Sequence, residues 1–376
     1  MRLLLIADDF TGALDTGVQF VKNGALTEVF FNCDIDYKKH PQTEVFVVDT
    51  ETRHLSRNKA YETVYGLVKK AVSSGIEAFY KKTDSGLRGN IGPEIEALSD
   101  ALQETVFFAP AFPSMNRIVR GGISYIDDVP VNKSIFGKDP FEPVTVSFVK
   151  DLFRSDFDGV RIFDAETNED MNDISQRMLL NGPVKAVAGC AGLASFYAAK
   201  CRFGKNSHNG SLPEAGIHIR PPFLICCGSL NTVSVAQIKA AASEGWPVAP
   251  LPKKGENDSP EFKNIQSNLL YENICIVESF STPEGKKEDI AERFGNMICK
   301  AADSGLIGTL IVIGGDTLFS AVKKLDASAI RIVDTLADGA VLSETVTNRR
   351  VLPIISKSGG FGGRTWLTDI IKEMKK

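Results

Sequence analysis

The chain repeatedly sets a short apolar run before a turn and an amphipathic segment, and the pattern is plainest at 3–17, LLLIADDFTGALDTG. Residues 2–7 read as a buried strand, and 11–23 carry Leu14, Val18, Phe20 and Val21 on one helical face. Strand 45–49 precedes a helix at 59–73, with Ser56 where an N-cap belongs. Strand 77–81 precedes a helix that holds Pro93 in its first turn and runs to about 102. Strand 106–109 leads into PAFPSMNR, too rich in proline for helix. Strands 158–163 and 186–188 and helices 172–181 and 193–202 continue the alternation, while 122–151 read as hairpin or loop. A strand-then-helix rhythm predicts a parallel sheet, because parallel neighbours need crossover helices and those helices cover both faces.

Residues 204–217, GKNSHNGSLPEAGI, are polar and turn-rich and read as a linker. Beyond them the rhythm resumes, with strands at 223–227, 274–277, 309–313 and 351–356 and helices at 233–243, 287–302, 318–324 and 367–374. The expected fold is two α/β domains, 1–210 and 218–376, each a mainly parallel sheet flanked by helices. A length of 376 residues suits two cores. The net charge of −4 offers no basic face for nucleic acid. The first apolar run is too short for a signal peptide or membrane span, so a cytoplasmic protein is expected. Seven cysteines without a C-x-x-C pair and four scattered histidines support neither a zinc site nor a histidine-driven triad.

Open α/β sheets bind ligands at the carboxyl ends of their strands, and several ends here carry chemistry. The first gives Asp8, Asp9, Thr11, Gly12 and Asp15; FYKKTDSGLRGN at 79–90 gives Lys82, Asp84, Ser85 and Arg88. In the second half CGSLNT (227–232), GGDT (314–317) and KSGGFGG (357–363) each end a strand in small residues. Free N–H groups and a helix dipole suit such turns to an anion, with Ser229, Thr317 and Lys357 as further donors. No Walker A or G-x-G-x-x-G pattern occurs, which removes the usual fingerprint of a dinucleotide-dependent dehydrogenase.

With APAFPSMNRIVRGG at 109–122 and AGCAGLA at 188–194, these segments stand in the same order as in the four-carbon acid sugar kinases, which the chain resembles nearly end to end. Two departures are Cys190, where the family pattern has Ser, and Gly360, where KSGNFG has Asn. The resemblance implies an ATP-dependent, Mg²⁺-requiring kinase acting on threonate, erythronate or 3-oxo-tetronate. It further implies an N-terminal substrate domain, a C-terminal nucleotide domain and an active site in the cleft between them. Asp8, Asp9, Thr11, Arg53, Lys82, Asp84, Ser85 and Arg88 are then the substrate-binding candidates. Arg88 is the first choice for a fork onto the substrate carboxylate, Arg53 and Arg117 the alternatives, and Lys82 either joins them or holds the aspartates ionised. Asp84 and Asp9 are both candidates for the base. Ser229, Gly314, Gly315, Asp316, Thr317, Gly359 and Gly360 are the nucleotide candidates, and no metal ligand is assigned. The expected partners are the sugar acid and ATP, not nucleic acid or membrane, with a homodimer left open. The competing possibility, a non-catalytic two-domain sugar-acid binding protein, needs the acidic site but not three glycine turns.

Overall fold

The computed structural model describes residues 1–139, 143–179, 185–203, 219–253, 259–281, 285–337, 339–347 and 351–374; the expected linker, 204–217, lies outside them. The chain divides into two compact units, Met1–Asn209 and Gly210–Lys376.

In chain order the first unit runs β1 (Leu3–Ala7), α1 (Phe10–Val21), β2 (Thr27–Phe30), β3 (Val45–Asp49), α2 (Arg57–Ser73), β4 (Ala78–Lys82), α3 (Ile91–Leu102) and β5 (Val106–Ala109). Then come β6 (Arg117–Arg120), β7 (Ile123–Ile126), β8 (Val129–Pro130), β9 (Val160–Ile162), α4 (Asn168–Arg177), β10 (Ala186–Gly189) and α5 (Ala191–Lys200). Seven of these strands form a parallel sheet in the order β2-β3-β1-β4-β10-β5-β9. Central β1 is buried throughout and pairs Leu3 with Val45 on one side and Ala78 on the other. Full burial explains why it reads as an unbroken apolar run rather than an alternating one. Tyr80 anchors the helical face: it lies between Phe20 and Tyr197, with ring centroids 6.0 and 5.9 Å away, and donates its hydroxyl to Cys190 O at 2.7 Å.

The irregular stretch resolves into an antiparallel sheet, β6-β7-β8, and the proline-rich loop contains one 3₁₀ turn, Pro113–Met115, before β6 begins. Helix α4 starts four residues earlier than its periodicity suggests, because Thr167 and Asp170 close a capping box there.

The second unit runs β11 (Phe223–Cys227), α6 (Thr232–Ser243), β12 (Val248–Pro250), α7 (Pro260–Tyr271), β13 (Ile274–Glu278), α8 (Lys287–Asp303) and β14 (Thr309–Ile313). It continues with α9 (Gly315–Lys324), β15 (Ala329–Ala337), β16 (Ala340–Val346), β17 (Pro353–Lys357) and α10 (Trp366–Met374). Its sheet has the order β12-β13-β11-β14-β17-β16-β15; all pairs are parallel except those of β16, which runs antiparallel to both neighbours. Ile225, Ile276, Ile311 and Ile355 form one face of its core, closed by Ile238 of α6 and Leu367 and Ile371 of α10.

Candidate active site

Three neighbouring strand ends deliver the first cluster. Strand β1 stops at Ala7, so Asp8 and Asp9 leave the sheet together, and Asp9 adopts the extended N-cap conformation of α1. The turn after β3 carries Arg53, and β4 ends in Lys82, followed by the 83–90 loop.

The cluster is a lattice of alternating charge. Arg53 forks onto Asp8 through Nε at 2.8 Å and Nη2 at 3.1 Å, and the same Nη2 lies 2.8 Å from Asp9 Oδ1 and 3.8 Å from Asp84 Oδ1. Lys82 Nζ meets Asp9 Oδ1 at 2.7 Å and Asp8 Oδ1 at 3.3 Å. Lys82 therefore holds the aspartates in place. A Cβ at residue 12 would collide with Lys82 Nζ and Asp9 Oδ1, which is why Gly12 follows Thr11 in this turn. Thr11 itself, in the first turn of α1, makes no hydrogen bond to the cluster among the described residues.

Arg88, the first choice for the substrate carboxylate, pairs within its own loop. Its fork is occupied by Asp84, through Nε at 3.0 Å and Nη2 at 2.8 Å, while Asp84 Oδ2 also accepts from the backbone N–H of Gly86 at 3.0 Å and of Arg88 at 3.3 Å. Burial alone would raise the Asp84 carboxyl, but the bond from Arg88 and the nearby Arg53 and Lys82 charges hold it well below the usual carboxylate range. Asp8, also buried, is held down in the same way by Lys82 and Arg53. Asp9 is the exposed member, its side chain 27% accessible against 2% for Asp8 and 8% for Asp84. Both cations meet it at Oδ1.

Behind the cluster lies a buried ion pair that sequence reasoning missed. Lys81 Nζ is 2.9 Å from Glu94 Oε2 and also donates to Lys82 O at 2.7 Å, while Glu94 accepts the Thr52 hydroxyl. One carboxylate thereby fixes the residue before Lys82 and the residue before Arg53. The signal was two lysines closing an otherwise apolar strand, YKK, and a Glu on the buried face of α3.

In the second unit the carboxyl ends of β11, β14 and β17 are neighbours, Cys227 pairing with Ile313 and Ile313 with Lys357. The three glycine turns meet there. Gly314, at φ +118°, opens α9 in a conformation that disfavours a side chain, and a Cβ on it would stand 3.5 Å from Ser229 N. Gly359 packs against the Ser229 side chain, and its carbonyl accepts from Ser234 Oγ at 2.7 Å. Gly315 and Gly360 lie at the same rim. Thr317 is buried with its hydroxyl against Gly228, so it packs the turn, and Asp316 forms an exposed pair with Lys287 at 2.8 Å. Lys357 Nζ donates to Ser358 O at 3.0 Å and lies 5.3 Å from the Trp366 ring centroid; burial lowers its pKa to about 8. Among the described residues no group of three or more His, Cys, Asp or Glu side chains is placed to hold a metal, and no helix is long and apolar enough to cross a membrane.

Comparison with known proteins gives the same division of labour. Residues 3–160 match the sequence model of a sugar-binding N-terminal domain, and 224–367 that of a nucleotide-binding C-terminal domain. The chain is 27% identical over 99% of its length to a D-threonate kinase of Salmonella typhimurium, 98% of which is covered. It is 28% identical over 95% to a D-threonate kinase of Bordetella bronchiseptica (94% covered), and 24% over 96% to a 3-oxo-tetronate kinase of Brucella melitensis (93% covered). Among solved structures, a Salmonella typhimurium protein described as a putative tRNA synthase matches with a TM-score of 0.78 at 18% identity over 99% of both chains. A Haemophilus influenzae protein of the DUF1537 family matches at 0.75 and 20%, over 99% of this chain and 100% of that one; these two likenesses bear on the fold alone. The two domain models, matched in order, and kinase relatives of matching length throughout place the chain in the four-carbon acid sugar kinase family.

Proposed function

We propose that this protein transfers the γ-phosphoryl group of ATP to a terminal hydroxyl of a four-carbon sugar acid of the threonate, erythronate or 3-oxo-tetronate class. The observation that carries this is the presence, in one chain, of a rigid acid–base cluster at one set of strand ends and three convergent glycine turns at another. Phosphoryl transfer asks a protein for positioning and charge neutralisation rather than covalent chemistry. ATP supplies the phosphoryl group together with Mg²⁺, which keeps waters and phosphate oxygens as most of its ligands and so needs few from the protein.

Asp9 is the base in this scheme. Asp84 accepts bonds from two backbone N–H groups and the Arg88 fork, and Asp8 is fully enclosed by Arg53 and Lys82. Asp9 alone combines exposure with an oxygen, Oδ2, that no described residue engages. Arg53 and Lys82 orient it and stand where negative charge develops as the hydroxyl loses its proton. Asp9→Asn should lower kcat by about 10²–10⁴ with little change in KM, whereas a change confined to KM would assign Asp9 to binding. The activity itself is tested by incubating the protein and ATP·Mg²⁺ with both enantiomers of threonate, erythronate and 3-oxo-tetronate and following ADP release and the phosphorylated product. Binding of acid and ATP without turnover on any of them would return the protein to the class of binding proteins.

A further inference from the structure

Three arginines reach the first cluster, and two already have their charge matched, Arg53 by Asp8 and Asp9 and Arg88 by Asp84. Arg117 is the third. It opens β6 half-buried, donates through Nη1 to the Ser85 hydroxyl, and rests with its guanidinium carbon 5.4 Å from the Phe136 ring centroid. Arg88 lies against the same ring at 5.0 Å, so Arg117 stands beside the acidic cluster and not on a remote surface. Among the described residues no carboxylate pairs with it. A hydroxyl and an aromatic face fix the direction of a guanidinium but do not neutralise it.

We infer that Arg117 binds the carboxylate of the sugar acid and makes the site prefer an acid over the corresponding polyol. This assignment rests on the kinase activity proposed above. The substrate brings one negative charge, and Arg117 is the cation of the cluster with no anion of its own. A carboxylate on Arg117 completes the alternation of sign that the cluster otherwise leaves open. Because the fork meets a part of the substrate that does not react, its contribution is the same in the ground and transition states and belongs to KM.

The test compares wild type with Arg117→Met and Arg117→Lys on D-threonate and D-erythronate and on threitol and erythritol, which keep the terminal hydroxyl and lack the carboxylate. Loss of a contact to a charged group predicts a rise of about 10- to 150-fold in KM for the acid in Arg117→Met, with kcat within a few fold. The polyol, as substrate or as competitive inhibitor, should bind both proteins alike, so that the acid-over-polyol preference collapses; Arg117→Lys should restore part of it. The KM for ATP should not move. An unchanged preference in Arg117→Met, or an equal loss for acid and polyol, overturns the assignment. Arg117→Lys, which retains the stem and charge, supplies the comparison if Arg117→Met does not fold. Wild-type protein that phosphorylates none of the threonates, erythronates and 3-oxo-tetronates overturns the kinase activity instead, and is read before the variants, which are then assayed on whichever acid is turned over.

Discussion

Lys357 is a cation set between one backbone carbonyl, Ser358 O, and the Trp366 ring, with burial drawing its pKa down to about 8. A charge left in that position is stabilised by an arriving phosphate, which favours the protonated form and raises the pKa in the complex. The sign follows directly. Below pH 8 the free protein already carries the proton and ATP binds fully; above it, binding must first restore the proton, so affinity falls as pH rises. Between pH 7 and pH 9 ATP should weaken by about tenfold, the fall in the protonated population of a group titrating near 8. Lys357→Met should bind weakly throughout and lose the dependence. A wild-type affinity that stays flat over this range would remove Lys357 from the phosphate contacts. At this scale the sequence marked the lysine, because it closes a strand before glycines. It did not mark that the Arg88 fork is taken up by Asp84: the two are four residues apart, and only the folding of the 83–90 loop turns one onto the other.

At the scale of elements, the first cluster depends on neighbouring strand ends being joined by a buried carboxylate behind it. Glu94 of α3 joins Lys81 of β4 to Thr52 in the turn after β3, with Lys81 and Glu94 both excluded from solvent. Asn90, just before α3, adds a clasp, donating to Thr52 O at 2.9 Å and Leu55 O at 2.8 Å. Removing one member of a buried pair leaves the other charge uncompensated, so Glu94→Ala should cost about 3–5 kcal/mol, read as a lower denaturant midpoint at constant slope. A loss below about 1 kcal/mol would mean that the carbonyls of Ile6 and Lys82 suffice to hold Lys81. The strands and helices that read clearly in the sequence share a feature: β1, β3, β11 and β14 are short, wholly buried apolar runs followed by a helix. Those that escaped lack it. Strand β2 has only four residues; β6 and the β15–β16 hairpin are antiparallel and partly exposed, so polar residues interrupt them, and bulges at Ile332/Asp334 and Thr335/Ala337 break the alternation that remains, whereas β7 and β8 fall in the stretch read as hairpin or loop. Helix α7, PEFKNIQSNLLY, buries only Phe262, Ile265 and Leu269, and its start is set by the Ser259 cap rather than by a broad apolar face.

For the molecule as a whole, the residues proposed for the acid all belong to the first unit and those proposed for ATP to the second, so binding of the two ligands can be measured separately. Gly360 offers a clean way to ask. A Cβ there meets only Asn231 Nδ2, at 3.6 Å, so a side chain is tolerated sterically at the rim of the phosphate turns. Gly360→Asp adds a fixed negative charge where phosphate is expected, and should weaken ATP by tenfold or more, about 1.4 kcal/mol, without unfolding the chain. Calorimetry with D-threonate alone should give the same affinity for this variant and wild type, because the carboxylate cluster belongs to residues of the first unit. Arg117→Met should do the reverse, weakening D-threonate and leaving ATP affinity unchanged. Raising the salt concentration should narrow the Gly360→Asp difference, since the added charge sits at an exposed turn where ions screen it. Equal loss of both ligands in either variant would show a coupling free energy between the sites, and would make the turnover of one ligand depend on the other before any chemistry takes place. Unchanged ATP affinity in folded Gly360→Asp would instead move the nucleotide phosphates away from the third glycine turn and leave the CGSLNT and GGDT turns to hold them.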